Sequence, residues 1–192
     1  MAAAREAVGA EYDLMFDAWM SWDRSYALNV FDRIAEYDPR WVEEPLQPDR
    51  IGTYAELRNA ADFPVAGGEH EYTRWGAHEL LDRGAVDVLQ ADTLWAGGLT
   101  EMRHICSLAS VHDVPVVPHG ISVPANLHLS AAMPPTLCPV VEYLVNNNRQ
   151  FQFFYADRFE PSDGDLTVPD RPGLGVSIDD SKVESRATLS FD

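Results

Sequence analysis

Six side chains able to hold a metal or move a proton recur along the chain, each just after a short apolar run. They are Asp17, Glu43, Glu69, Asp92, His119 and Glu142, and their spacings are 26, 26, 23, 27 and 23 residues. Asp17, Glu43 and Glu69 end three consecutive runs, so a fold that aligns those runs brings three like charges to one mouth. Three carboxylates need a cation, and an all-oxygen donor set of modest number favours Mg²⁺. His119 follows Val114–Val117 and Pro118, and Asp92 ends the run before it. A carboxylate beside an imidazole can orient it and raise its basicity, which gives a base that serves as an acid once it has taken a proton. Glu142 ends the last run and faces the same mouth from the far side. Trp19, Trp22, Asp23, His70, Arg74 and Trp75 lie just beyond run ends and are candidates for lining it, with Trp19, His70 and Arg74 the substrate-lining set. His78, His104, His112 and His128 read instead as helix caps or core fillers.

The elements that must position these groups alternate in period. The apolar runs 13–16, 41–42, 63–66, 86–89, 114–117 and 140–141 are short enough to be buried parallel strands. Between them the stripe Tyr26, Ala27, Val30, Phe31 and Ile34, and the stripe Met102, Ile105, Cys106 and Ala109 after a candidate N-cap at Thr100, have helical spacing. Further helices are expected near 54–61, 73–83 and 123–132, and residues 2–9 read as the end of a helix already under way. A near-constant step with a functional side chain after each strand is the signature of a (β/α) barrel, whose active site gathers residues from the C-terminal strand ends. An open doubly wound sheet is the alternative, but the chain has no glycine-rich phosphate turn near its first strand. The expected fold is therefore α/β, a partial TIM barrel. A closed barrel takes ~250 residues and eight strands, whereas the pattern here supplies six βα units over residues 1–156. Residues 157–192, rich in Pro, Gly and Asp, read as a C-terminal tail of turns and short strands.

Composition narrows the function classes. Thirty-one acids against 14 bases give a net charge of −17, which disfavours binding to a phosphate backbone, so nucleic acid is not an expected partner. Lys182 is the only lysine, and an acidic, lysine-poor surface predicts a halophilic host, where molar salt shortens the screening length to ~3 Å. No apolar run reaches the ~18 residues that cross a bilayer, and the first residues lack a signal-peptide pattern, so a soluble cytoplasmic protein is expected. Cys106 and Cys138 form no CxxC pair and read as buried thiols.

Several strings carry a further message. Phe16-Asp17-Ala18-Trp19-Met20-Ser21-Trp22-Asp23, Trp41-Val42-Glu43-Glu44-Pro45, Gly68-Glu69-His70-Glu71, Thr73-Arg74-Trp75-Gly76, Gln90-Ala91-Asp92, Gly97-Gly98 and Pro118-His119-Gly120 occur in that order. Together they resemble the mandelate racemase/muconate lactonizing enzyme branch of the enolase superfamily, most closely its L-rhamnonate dehydratase-like acid-sugar dehydratases. The resemblance runs from about residue 2 to 180. It implies Asp17, Glu43 and Glu69 as Mg²⁺ ligands and His119, paired with Asp92, as the base that removes the proton alpha to a substrate carboxylate. The metal would bind that carboxylate and stabilise the enediolate. The protonated His119 would then help the 3-hydroxyl leave as water, and Glu142 would hydrogen-bond the intermediate.

The chain resembles the last half of a typical member. The N-terminal capping domain and the first barrel strands, one of which often bears a Lys-x-Lys motif, have no counterpart here. After His119, the strings Ile121–Asn126 and Asn146–Arg149 depart from the rhamnonate dehydratases toward a sister group. The expected activity is Mg-dependent dehydration of a small sugar acid, an aldonate of L-rhamnonate type, to a 2-keto-3-deoxy acid. Two alternatives stand beside it: a catalytically incompetent fragment that needs a complementing N-terminal chain, and a racemase or cycloisomerase. Full-length members imply a homo-oligomer.

Overall fold

A computed structural model describes residues 1–189. Strands and helices alternate: α1 (Ala2–Val8), β1 (Leu14–Asp17), α2 (Arg24–Ile34), β2 (Pro39–Glu43), α3 (Ile51–Ala60), β3 (Val65–Gly67), α4 (Thr73–Asp82), β4 (Val88–Leu89), α5 (Leu99–Val111), α6 (Val123–Ala131) and the short α7 (Asn148–Phe151). The strands form one parallel sheet in the order β1-β2-β3-β4. Parallel neighbours need a crossover, and α2, α3 and α4 supply it. The N-cap of α2 shows why the chain turns where it does: Asp23 accepts the backbone N–H of Tyr26 at 2.8 Å, which satisfies one of the orphan donors of the first turn. The Tyr26 to Ile34 stripe then divides, with Ala27, Phe31 and Ile34 buried and Tyr26 left exposed.

Six strands were expected and four are built. The 114–117 run touches the sheet by a single bridge, Leu89 to Val116, and the 140–141 run joins no ladder. Proline explains the loss. Pro115 and Pro118 remove two donors from a five-residue stretch, and Pro139 removes another just before Val140. What remains is Leu89 N–H donating to Pro115 at 2.9 Å, Val117 N–H to Leu89 at 2.9 Å and a longer bond from His119 N–H to Ala91 at 3.4 Å, enough to hold the segment in register. Helix α5 starts two residues earlier than expected, capped at Gly98 rather than Thr100.

The main core lies between the sheet and its helices, where Leu57, Val65, Leu89, Met102 and Ile105 are all fully buried. The other face carries a smaller cluster of Trp41, Ala66, Val88 and Val117. The tail packs on α6 through Phe159 against Val123 and Leu127, and pairs Tyr155 with Ile178. Its expected span of 157–192 runs past the described residues at 190–192. Among the described residues no helix is long and apolar enough to cross a membrane.

Candidate active site

Strand register sets the positions of the chemistry. Asp17 and Glu43 are direct partners across β1 and β2. Ala66, the next partner of Glu43, lies three residues before Glu69. The bridge pair Leu89 and Val116 likewise lies three residues before Asp92 and His119. These five groups therefore leave the sheet at its C-terminal end, on one rung or one turn beyond it. Gly68 makes the β3 exit possible. Its φ of +115° is open to glycine, and a Cβ there would meet Leu89 Cδ1 at 2.8 Å.

His119 is buried and has a carboxylate beside each ring nitrogen. Its Nδ1 lies 2.8 Å from Asp92 Oδ2, so the proton on that nitrogen is donated to a carboxylate that only accepts. Its Nε2 faces Glu69 Oε2 at 3.4 Å. Asn126 Nδ2 donates to the His119 carbonyl at 2.6 Å while its Oδ1 accepts from the Thr93 hydroxyl, which holds the backbone beneath the ring. Glu142 Oε2 accepts the N–H of Gly120 at 2.8 Å, beside the imidazole. The other oxygen of Asp92 accepts from Leu94 at 2.6 Å and Trp95 at 3.2 Å.

The field of this cluster follows from burial and crowding. Burial raises the Glu43 carboxyl, the charge of Glu142 raises it further, and Asp17 and Glu69 add to this against one hydrogen bond from Gln90; the result is about 8. Glu69 and Glu142 are also pushed up by burial, with His119 pulling both back. Burial lowers His119, but the Asp92 hydrogen bond and the charges of Glu69, Glu142 and Asp92 outweigh it and lift the imidazole to about 9. The carboxylates of Asp17, Glu43, Glu69 and Glu142 together have the donor chemistry of a hard divalent cation site, and burial holds the three glutamates above their ordinary ionisation range.

The tightest grouping of ligand-type atoms among the described residues differs from the expected trio. Glu44, Glu69 and His70 bring their ligand atoms within 4.8 Å of one another, and only Glu69 belongs to both sets. Hydrogen bonding accounts for that grouping, since His70 Nδ1 sits 3.0 Å from both oxygens of the buried Glu44 and 3.7 Å from Glu69 Oε1. Asp17 turns one oxygen back to accept from Trp19 N–H at 2.8 Å.

The expected mouth residues separate. His70 lies at the site. Trp19, with a positive φ of 42°, stands exposed on the loop after β1. Arg74 is engaged elsewhere: its backbone N–H and guanidinium all donate to Glu101, which ties the start of α4 to α5. Trp22 packs toward Phe16 and Phe31 instead of lining the mouth. Beneath the mouth, a cavity of about 640 Å³ is bounded by Trp41, Glu43, Gln90 and Glu142. Glu44, Asn126 and Trp95 were not singled out from the sequence. Glu44 alone carried a signal, as the second acid of Glu-Glu-Pro directly after a strand end.

Comparison with known proteins gives the family. Residues 1–182 match the enolase C-terminal domain-like family. A D-galactarolactone cycloisomerase of Agrobacterium fabrum is 37% identical over 188 residues, covering 93% of this chain and 50% of its own length. An L-rhamnonate dehydratase of Saccharopolyspora erythraea is 38% identical over 196 positions, covering 98% and 49%. The crystal structure of an L-talarate dehydratase from Polaromonas sp. JS666, complexed with Mg and L-glucarate, superposes with a TM-score of 0.83 at 30% identity, covering 94% of this chain and 48% of that one. The chain spans about half the length of these relatives. By the span matched, the chain belongs to the enolase C-terminal domain-like family.

Proposed function

We propose that the site serves Mg²⁺-dependent dehydration of a sugar acid, an aldonate of L-rhamnonate type, to a 2-keto-3-deoxy acid. The observation that carries the reading is the line Asp92, His119, Glu69, in which a buried imidazole is fixed by one carboxylate and aimed at another. Asp17, Glu43 and Glu69 would hold the cation. When bound, it would balance the crowded carboxylates, bring His119 back toward neutrality and polarise the substrate carboxylate. The remaining work belongs to the chain. Asp92 keeps the proton on Nδ1, so Nε2 is the atom that takes the proton alpha to the carboxylate. The same nitrogen then returns a proton to the departing 3-hydroxyl, which leaves as water. Glu142, braced by Gly120 N–H, offers its free oxygen to a substrate hydroxyl. The related L-talarate dehydratase complexed with Mg and L-glucarate, and the related L-rhamnonate dehydratase, support this reading.

A second reading, in which turnover requires a complementing chain, is favoured by the outer edge of β1, which among the described residues pairs on one side only. One experiment addresses both. The chain is incubated with millimolar Mg²⁺ and a panel of aldonates, and 2-keto-3-deoxy acid is measured for wild type and His119→Asn. Product formed by wild type and lost in the variant is the expected result. Product in both removes His119 from the mechanism. A lactone or an epimer in place of the keto acid moves the chain to cycloisomerisation or racemisation. Mg²⁺ binding with no product from any acid favours the complementation reading.

A further inference from the structure

Trp95 stands three residues beyond Asp92 and is held from two sides. Behind it, Asp92 Oδ1 accepts the N–H groups of Leu94 and Trp95 while Oδ2 meets His119. Against it, His70 stands edge-on with ring centroids 5.5 Å apart and planes at 81°, and His70 is itself pinned by the buried Glu44. Tyr72 extends the wall, its ring 5.7 Å from the indole. Despite this bracing the indole is 40% exposed and Tyr72 is 60% exposed. A scattered surface aromatic needs no explanation. Two adjoining aromatics fixed through two buried carboxylates, and still open to solvent at the catalytic end of the sheet, make a preorganised contact surface.

We infer that Trp95 and Tyr72, backed by His70, form the platform for the carbon chain of the substrate beyond its reacting carbons, selecting polyhydroxy acids of five or six carbons over shorter ones. This rests on the sugar-acid reading above. The negative face of an aromatic ring favours the weakly positive C–H face of a sugar chain and leaves the hydroxyls to water. The platform therefore reads length more than hydroxyl configuration. Because Asp92 anchors both the indole loop and the imidazole, the platform sits at a fixed offset from the base.

The test is calorimetric titration in millimolar Mg²⁺ with glycerate, L-arabinonate and L-rhamnonate, on wild type, Trp95→Ala, Trp95→Phe and Tyr72→Ala. Affinity should rise with chain length in wild type. Trp95→Ala should lose roughly 3- to 10-fold for the two longer acids and nothing for glycerate, with Trp95→Phe keeping most of the affinity. L-Rhamnonate should quench tryptophan fluorescence in wild type and not in Trp95→Phe. In turnover the loss should fall on KM rather than kcat. Equal loss for glycerate and L-rhamnonate overturns the platform, because Trp95 would then act only by disturbing Asp92. Turnover with unchanged KM in Trp95→Ala overturns the platform and leaves the reaction intact. Length-dependent binding through Trp95 without turnover keeps the platform and overturns turnover by this chain alone. No binding of any of the three acids overturns both.

Discussion

Glu43→Gln should make the metal-free protein more stable and the metal-loaded protein less so. Glu43 is 6% exposed and its carboxyl is pushed up to about 8 from the ordinary 4.5, first by burial and then by Glu142. In the folded state the group keeps its proton across that window, whereas in the unfolded state it releases it. The folded state then binds more protons, so stability falls as pH rises from about 4.5 to about 8 and is level above. At ~1.36 kcal/mol per pH unit, the drop reaches roughly 3 kcal/mol by pH 7. Gln removes this titration at near-constant volume, and allowing for the shared titration of Glu142 and Glu69 the gain at pH 7 should be roughly 1–3 kcal/mol. For a chain of this size that is roughly 2–4 °C in Tm per kcal/mol. The assay is thermal unfolding of both proteins in EDTA at pH 5, 7 and 8, repeated in millimolar Mg²⁺. The variant should gain on wild type as pH rises in EDTA. In Mg²⁺ the order should reverse, since a ligand at a hundred times its Kd adds ~2.7 kcal/mol to the protein that binds it. A gap between the two proteins that is the same at pH 5 and pH 8 would refute the assignment of Glu43 as a buried, proton-loaded acid.

Two further expectations concern neighbours of that site. Asp92→Asn should bring the His119 imidazole down from about 9 toward its usual range, read by NMR titration of the histidine ring protons. Because that raised value contributes stability that is full below about 6.5 and lost as pH rises through about 9, the variant should also lose this alkaline decline in Tm; an unmoved titration would remove Asp92 as the cause. Gly68→Ala combines a strained φ with a Cβ 2.8 Å from Leu89 Cδ1, so urea unfolding should show a loss of about 1–3 kcal/mol. Its Mg²⁺ affinity should fall with it, because Glu69 is carried on the displaced turn. Wild-type affinity in that variant would mean the turn is not what places Glu69.

Much of the architecture was legible because period and spacing are local properties. The Tyr26 to Ile34 and Met102 to Ala109 stripes each bury part of a helix, and Asp17 and Glu43 emerge as register partners because their spacing matches one crossover. Strand count was overread for an equally local reason. Val114–Val117 and Val140–Val141 look like strands by side chain, but Pro115, Pro118 and Pro139 remove the donors a ladder requires. Contacts across long separations left no trace to read. Nothing in the sequence says that Glu44 would turn to His70, that Asn126 would brace the His119 carbonyl, or that Arg74 would be taken by Glu101 and so leave the mouth.

The outer edge of β1 bears on how the protein behaves as a colloid. Among the described residues Leu14–Asp17 pairs only with β2, and Met15 is 42% exposed on that strand, so the edge offers unpaired backbone and an apolar contact to any molecule that approaches. What keeps two such edges apart is the net charge of −17, whose reach is ~10 Å in 0.1 M salt and ~3 Å at 1 M. Salt therefore pulls in two directions. It relieves repulsion among the crowded acids within one molecule, and it lowers the barrier to edge-to-edge pairing between molecules. Light scattering and thermal unfolding across a KCl series should trend oppositely, with the best-behaved preparation at intermediate salt and not at the salt that gives the highest Tm.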